Sequence, residues 1–173
     1  MISTQLLFTE NSDTEKQIYC DMDGVLTDFI EQAQSVDSNI FNLEPDKMWK
    51  KIADSGVSFW GDMPWTKDGK VLWEYIKKFN PKILTALPGL SKNDPNEINA
   101  NKGKKIWVEQ NLGEHVLDNL ILTTSEEKKK YSSSNKILID DREKLISQWI
   151  QKGGDGIVYK NAMDTISQLK DIM

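Results

Sequence analysis

With 173 residues, 38% of them hydrophobic and 28% charged, the chain is long enough for one buried core and a small insertion. Its net charge of −5 argues against broad binding to nucleic-acid polymers, which need a basic face, and its apolar runs are too short to span a membrane. One cysteine excludes an internal disulfide and one histidine excludes a zinc-type histidine cluster, so a reducing, cytoplasmic setting is expected.

Taken in chain order, residues 1–16 carry Leu6-Leu7-Phe8 without the basic region and long apolar region of a secretory signal, and are expected to form a tail or an extra edge element. Residues 18–20 make a first short apolar run, which passes straight into Asp21-Met22-Asp23-Gly24. From 29 to 65 no strand is evident, yet Phe29, Phe41, Trp49, Phe59, Trp60 and Trp65 recur, as in a helical insertion. Residues 70–79 then place Val71, Leu72, Tyr75, Ile76 and Phe79 on one helical face. A second apolar run follows at 82–84, and the Pro- and Asn-containing stretch 87–101 reads as a mobile loop over the site. Helical spacing returns at 102–112, 143–151 and 162–172, interleaved with apolar runs at 119–122, 136–139 and 156–159. Continuous runs of this length suit strands buried on both faces, and their alternation with helices predicts an α/β fold. The expected architecture is a Rossmann-like parallel sheet of about five strands flanked by helices. Its core would comprise 17–28 and 66–173, with 1–16 a tail and 29–65 a small helical cap.

In open parallel sheets ligands bind at the carboxyl ends of the strands, and there this sequence is rich in polar groups. Asp21 and Asp23 follow the first run, Thr85 and Ala86 the second, Thr123-Thr124-Ser125 and then Lys128-Lys129-Lys130 the third, and Asp140-Asp141 the fourth. Hard oxygen ligands beside hydroxyl, amide and ammonium donors form an inventory for magnesium and phosphate. Each part alone has a plainer explanation. Thr85 suits any strand end, the three lysines a solvated helix face, and Asp140-Asp141 a helix cap. A calcium loop starting at Asp21 fails, because its sixth and twelfth positions are Leu26 and Gln32 rather than glycine and a carboxylate.

Asp21-Met22-Asp23-Gly24-Val25-Leu26, Ile83-Leu84-Thr85, a lysine before the fourth strand and the acidic pair of Ile137 to Asp141 resemble, in order, the four motifs of the haloacid dehalogenase-like phosphohydrolases. The resemblance implies Asp21 as nucleophile, Asp23 as general acid and base, and Mg²⁺ held by Asp21, the backbone carbonyl of Asp23, Asp140 and Asp141. It also implies phosphate contacts from Thr85, the Ala86 amide and a lysine, with Gly24 turning its own amide toward phosphate. Ungapped counting from Asp140 favours Lys130, whereas the K-x-x-Y pattern favours Lys128, the residue adopted here.

Within that superfamily, three features resemble the 5′(3′)-deoxyribonucleotidase branch: the run from Asp21 to Phe29, Ser58-Phe59-Trp60 before Met63-Pro64, and Lys104-Lys105-Ile106-Trp107-Val108-Glu109. Asp140-Asp141-Arg142 matches as well, but Thr85-Ala86-Leu87 departs from the Thr-Ser-Pro of that branch. The implied substrate is a small phosphomonoester, in particular a nucleoside 5′-monophosphate, with Phe29, Phe59 and Trp60 about the base. Rival expectations are a phosphatase for another small ester, a phosphatase for nucleic-acid ends, and a degenerate module that binds a phosphorylated ligand. Cys20 is expected in the core, and His115 in a connecting segment outside the chemistry.

Overall fold

The computed structural model describes residues 16–173, so the expected tail or edge element over 1–16 lies, Lys16 apart, outside the described residues. Strands β1 (Gln17–Cys20), β2 (Lys82–Ala86), β3 (Leu120–Thr123), β4 (Lys136–Asp140) and β5 (Asp155–Val158) form a sheet in the order β3-β2-β1-β4-β5. Every pairing is parallel. Ile18 and Cys20 face one layer of core while Tyr19, between them, packs with Leu84, Leu138, Ile146 and Trp149 in the other. This alternation is why β1 can be apolar throughout. Cys20 pairs with Ile83 on one side and Ile139 on the other, so Asp21 and Asp140, each one residue further on, emerge at the same edge.

Helices α1 (Phe29–Val36), α2 (Pro45–Asp54) and α3 (Gly56–Gly61) follow β1, and α4 (Gly69–Ile76) leads back to the sheet. Asp28 caps α1, accepting the Glu31 amide at 2.9 Å. The remaining helices are α5 (Pro95–Asn111), α6 (Glu143–Gln151) and α7 (Ala162–Ile172).

The loop expected over 87–101 is shorter than its composition implies, because α5 begins at Pro95. Asp94 accepts the Asn96 amide at 2.8 Å and Pro95 takes the first helical position, where its missing N–H costs nothing. Helix α5 lies tightly against α3. A Cβ on Gly103 would come within 2.4 Å of the Trp60 Cβ and 2.6 Å of the Val57 carbonyl oxygen, so only glycine permits this approach. The aromatic residues of α3 consequently join the main core. No described helix is long and apolar enough to cross a membrane.

Candidate active site

Asp21 follows β1 directly, and its amide continues the ladder to the Ile139 carbonyl at 2.9 Å. The chain then folds into a tight turn in which the amides of Val25, Leu26 and Thr27 all donate to the Met22 carbonyl. Met22 points into the core, leaving Asp21 and Asp23 on the cleft side. Gly24 makes the turn with φ of +82°, and a Cβ there would fall 2.3 Å from the Asp141 carboxylate. Its amide donates to the Thr27 carbonyl at 2.8 Å. That bond corrects the expectation of a Gly24 amide facing phosphate: the residue serves close approach by Asp141 instead.

Asp21 is 3% exposed and Asp140 is fully buried, which is costly for carboxylates lacking a cation. The cation is Lys128, 1% exposed, whose ammonium lies 2.8 Å from Asp21 Oδ1 and 2.7 Å from Asp140 Oδ2. Lys129 and Lys130 pair instead with Glu126 and Glu127 at the surface. Asp140 Oδ1 accepts the Arg142 amide at 3.0 Å.

Burial, reinforced by the charges of Asp140 and Asp23, pushes the Asp21 carboxyl up to about 7 against the opposing pull of Lys128. For Lys128, burial pulls downward, but the two carboxylates outweigh it and the ammonium lies above its ordinary range. Burial and the Asp140 charge raise Asp141. Asp21, Asp140 and Asp141 each offer one oxygen within 4.8 Å of the others, a hard-oxygen set fitted to Mg²⁺. The Asp23 side chain stands apart from this set. Its Oδ1 accepts the Thr27 hydroxyl at 3.0 Å and its Oδ2 accepts Lys104 Nζ at 2.5 Å.

Lys104, which the sequence marks only as the start of the 104–109 helical motif, also belongs to the site. It projects from α5, is fully buried, and donates also to Thr85 Oγ1 at 2.7 Å and the Ala86 carbonyl at 2.9 Å. Thr85 is likewise fully buried and turned to Lys104, whereas Ala86 borders the cleft.

The cleft over these groups has a volume of about 520 Å³. Its polar lining comprises Asp21, Asp23, Asp28, Asp141, Ser125 and Arg142, and Arg142 donates to the Ser125 hydroxyl at 3.0 Å. The same lining includes apolar residues, Phe29, Ile30, Trp49, Leu87 and Pro88. Phe29 thus stands where a ligand can touch it. Phe59 and Trp60, expected beside it, do not: they are 1% and 2% exposed, absent from the cleft wall, and packed behind Phe29 at ring-centroid distances of 5.6 and 5.7 Å. Their apolar area is drawn inward by the contact of α3 with α5. Trp49 and Ile30 line the wall in their place. Cys20 is buried, its thiol raised well above the ordinary range by burial and by Asp21, and exposed His115 lies outside the cleft.

No protein-family model matches the chain, and no curated relative does. Similar solved structures include a hydrolase from Streptococcus pneumoniae TIGR4, 12% identical, with a TM-score of 0.52 over 90% of this chain and 99% of that one. A HAD-superfamily hydrolase from Ehrlichia chaffeensis is 13% identical, with a TM-score of 0.49 over 92% and 99% of the two chains. A HAD family enzyme from Bacteroides thetaiotaomicron, in complex with magnesium and inorganic phosphate, is 15% identical, with a TM-score of 0.42 over 84% and 94%. The first of these likenesses is one of fold: a Rossmann-like α/β sheet shared over nearly the whole of both chains.

Proposed function

We propose that the chain is a magnesium-dependent phosphomonoester hydrolase that works through an aspartyl-phosphate on Asp21. The observation that carries this reading is the convergence of Asp21, Asp140, Asp141 and Lys128, from the ends of β1 and β4 and the turn after β3, beside an independently held second carboxylate, Asp23. Asp21, Asp140, Asp141 and the Asp23 carbonyl would hold Mg²⁺, which when bound neutralises the carboxylates and the phosphoryl oxygens.

In the first half-reaction an Asp21 oxygen attacks phosphorus. The bond from phosphorus to the ester oxygen breaks, and the departing oxygen takes a proton from Asp23. In the second, water attacks the same phosphorus while Asp23 accepts its proton. The bond to Asp21 then breaks, releasing phosphate and restoring both carboxyl groups. Lys128 and the Ala86 amide take the phosphoryl oxygens, Thr85 being turned to Lys104 instead, and Lys128 also offsets the repulsion between Asp21 and Asp140.

The substrate we infer is a nucleoside 5′-monophosphate. Two aromatic rings, Phe29 and Trp49, line the same cleft as the acidic groups, which suits a molecule that carries both a phosphate and a flat ring.

Phosphate release from p-nitrophenyl phosphate tests the chemistry. Release is expected with Mg²⁺, absent with chelator, and at least about 10³-fold slower in Asp21→Asn. A folded protein that binds phosphate and Mg²⁺ but releases nothing from any ester would instead be a binding module. A panel of nucleoside and sugar monophosphates tests the substrate, and sugar phosphates far better than every nucleotide would overturn the nucleotide reading alone.

A further inference from the structure

The geometry points to Lys104 as the positioning residue for the acid–base carboxylate: it fixes the aim of Asp23 without touching the substrate. The inference rests on the phosphatase reading above.

Lys104 lies in the middle of the buried stripe of α5, among Ala100, Gly103, Trp107 and Val108. An ammonium fully out of water is costly unless each of its hydrogens finds an acceptor. Lys104 has three hydrogens and three close acceptors: Asp23 Oδ2, Thr85 Oγ1 and the Ala86 carbonyl. The Trp60 ring lies 5.3 Å from the same nitrogen. The lysine therefore has little freedom, and the stem that carries it is placed by the close packing at Gly103.

Asp23 is gripped from both sides, by Lys104 at one oxygen and the Thr27 hydroxyl at the other. The two buried lysines thus divide the acids between them. Lys128 serves Asp21 and Asp140, and Lys104 serves Asp23 alone. Lys104 does not border the cleft, so its influence on a reacting ester passes through Asp23. Proton donation matters most when the departing oxygen is strongly basic and least when it leaves readily as an anion. Loss of Lys104 should therefore be felt in proportion to leaving-group basicity, whereas a lysine that only supports the fold would slow all esters alike.

The experiment is kcat/KM over a series of substituted phenyl phosphates, nearly constant in shape and graded in phenol acidity, for the wild type, Lys104→Met, Lys104→Gln and Asp23→Asn. Lys104→Met is expected to lose at least about tenfold more activity on the most basic phenolate than on p-nitrophenolate, as Asp23→Asn does. The double variant should be no worse than Asp23→Asn alone. Equal losses across the series, or full additivity with Asp23→Asn, would overturn the inference and leave the phosphatase reading intact. A wild type inactive on every ester would end both. Should both lysine variants unfold, Thr27→Val removes the other donor to the same carboxylate without touching a charge, and equal losses there would overturn the inference as well.

Discussion

Asp21 sets the behaviour of the site with pH. Its carboxyl is lifted to about 7 in the folded protein, first by burial, against an ordinary value of about 3.9 in the unfolded chain. The folded state therefore holds the proton more tightly. The stability this contributes is complete below about pH 4 and is lost as pH rises through about 7. Lys128, raised above its ordinary range, titrates far above this window and leaves the slope unchanged. Without metal, the melting temperature should fall between about pH 4 and 7, and Asp21→Asn, which cannot ionise, should show a smaller fall, Asp141 being raised as well. Magnesium takes the ionised carboxylate, so its affinity should rise about tenfold per pH unit below about 7 and level off above it. Calorimetric titration at pH 6 and pH 8 checks this, and equal affinities would exclude Asp21 as a ligand.

The turn between β1 and α1 is where local backbone and distant chain meet. Gly24 holds φ at +82° with the Asp141 carboxylate against its α-carbon, so Gly24→Ala meets both a strained dihedral and a 2.3 Å clash. The backbone strain alone costs about 1–2 kcal/mol. The larger consequence is for Asp141, which must swing away from Asp21 and Asp140. Gly24→Ala is expected to bind Mg²⁺ at least about tenfold more weakly while remaining folded at room temperature, as circular dichroism beside a magnesium titration would show. Unchanged affinity would mean that Asp141 does not need this place. The strands of the sheet were legible in the sequence because a strand covered on both faces must be apolar without interruption. Helix α5 was legible only in its second half. Its first turns are Asn96, Glu97, Asn99, Asn101 and Lys102, residues that suit loops as well as helices, and the Asp94-Pro95 start was the available signal. Lys104 escaped for a related reason: lysines on helices are normally solvated, although its spacing from Ala100, Trp107 and Val108 falls on the buried stripe. Phe59 and Trp60 could not be told from Phe29 by residue type. Which rings face the cleft is decided by how α3 meets α5, a tertiary fact with no local signature.

At the scale of the molecule, a chain of net charge −5 presents a cleft lined by four carboxylates and one guanidinium. Phosphate entering that cleft alone meets repulsion, and Lys128 is already shared by Asp21 and Asp140. Binding of phosphate should therefore depend on prior binding of the divalent cation, which changes the sign of the field at the strand ends. The residues concerned come from β1, from the turn after β3 and from the end of β4. Their simultaneous engagement requires the central sheet to be assembled, so ligand binding opposes global unfolding rather than the fraying of one loop. Phosphate at about a hundredfold over its dissociation constant should add about 2.7 kcal/mol, or roughly 5–10 °C in melting temperature for a domain of this size. That increment is expected only in the presence of Mg²⁺, and magnesium should tighten phosphate by the same factor by which phosphate tightens magnesium. Melting curves with each ligand alone and with both measure the coupling directly. An equal phosphate shift in chelator would mean that the basic groups of the cleft suffice for the anion and that the carboxylates do not converge upon a cation.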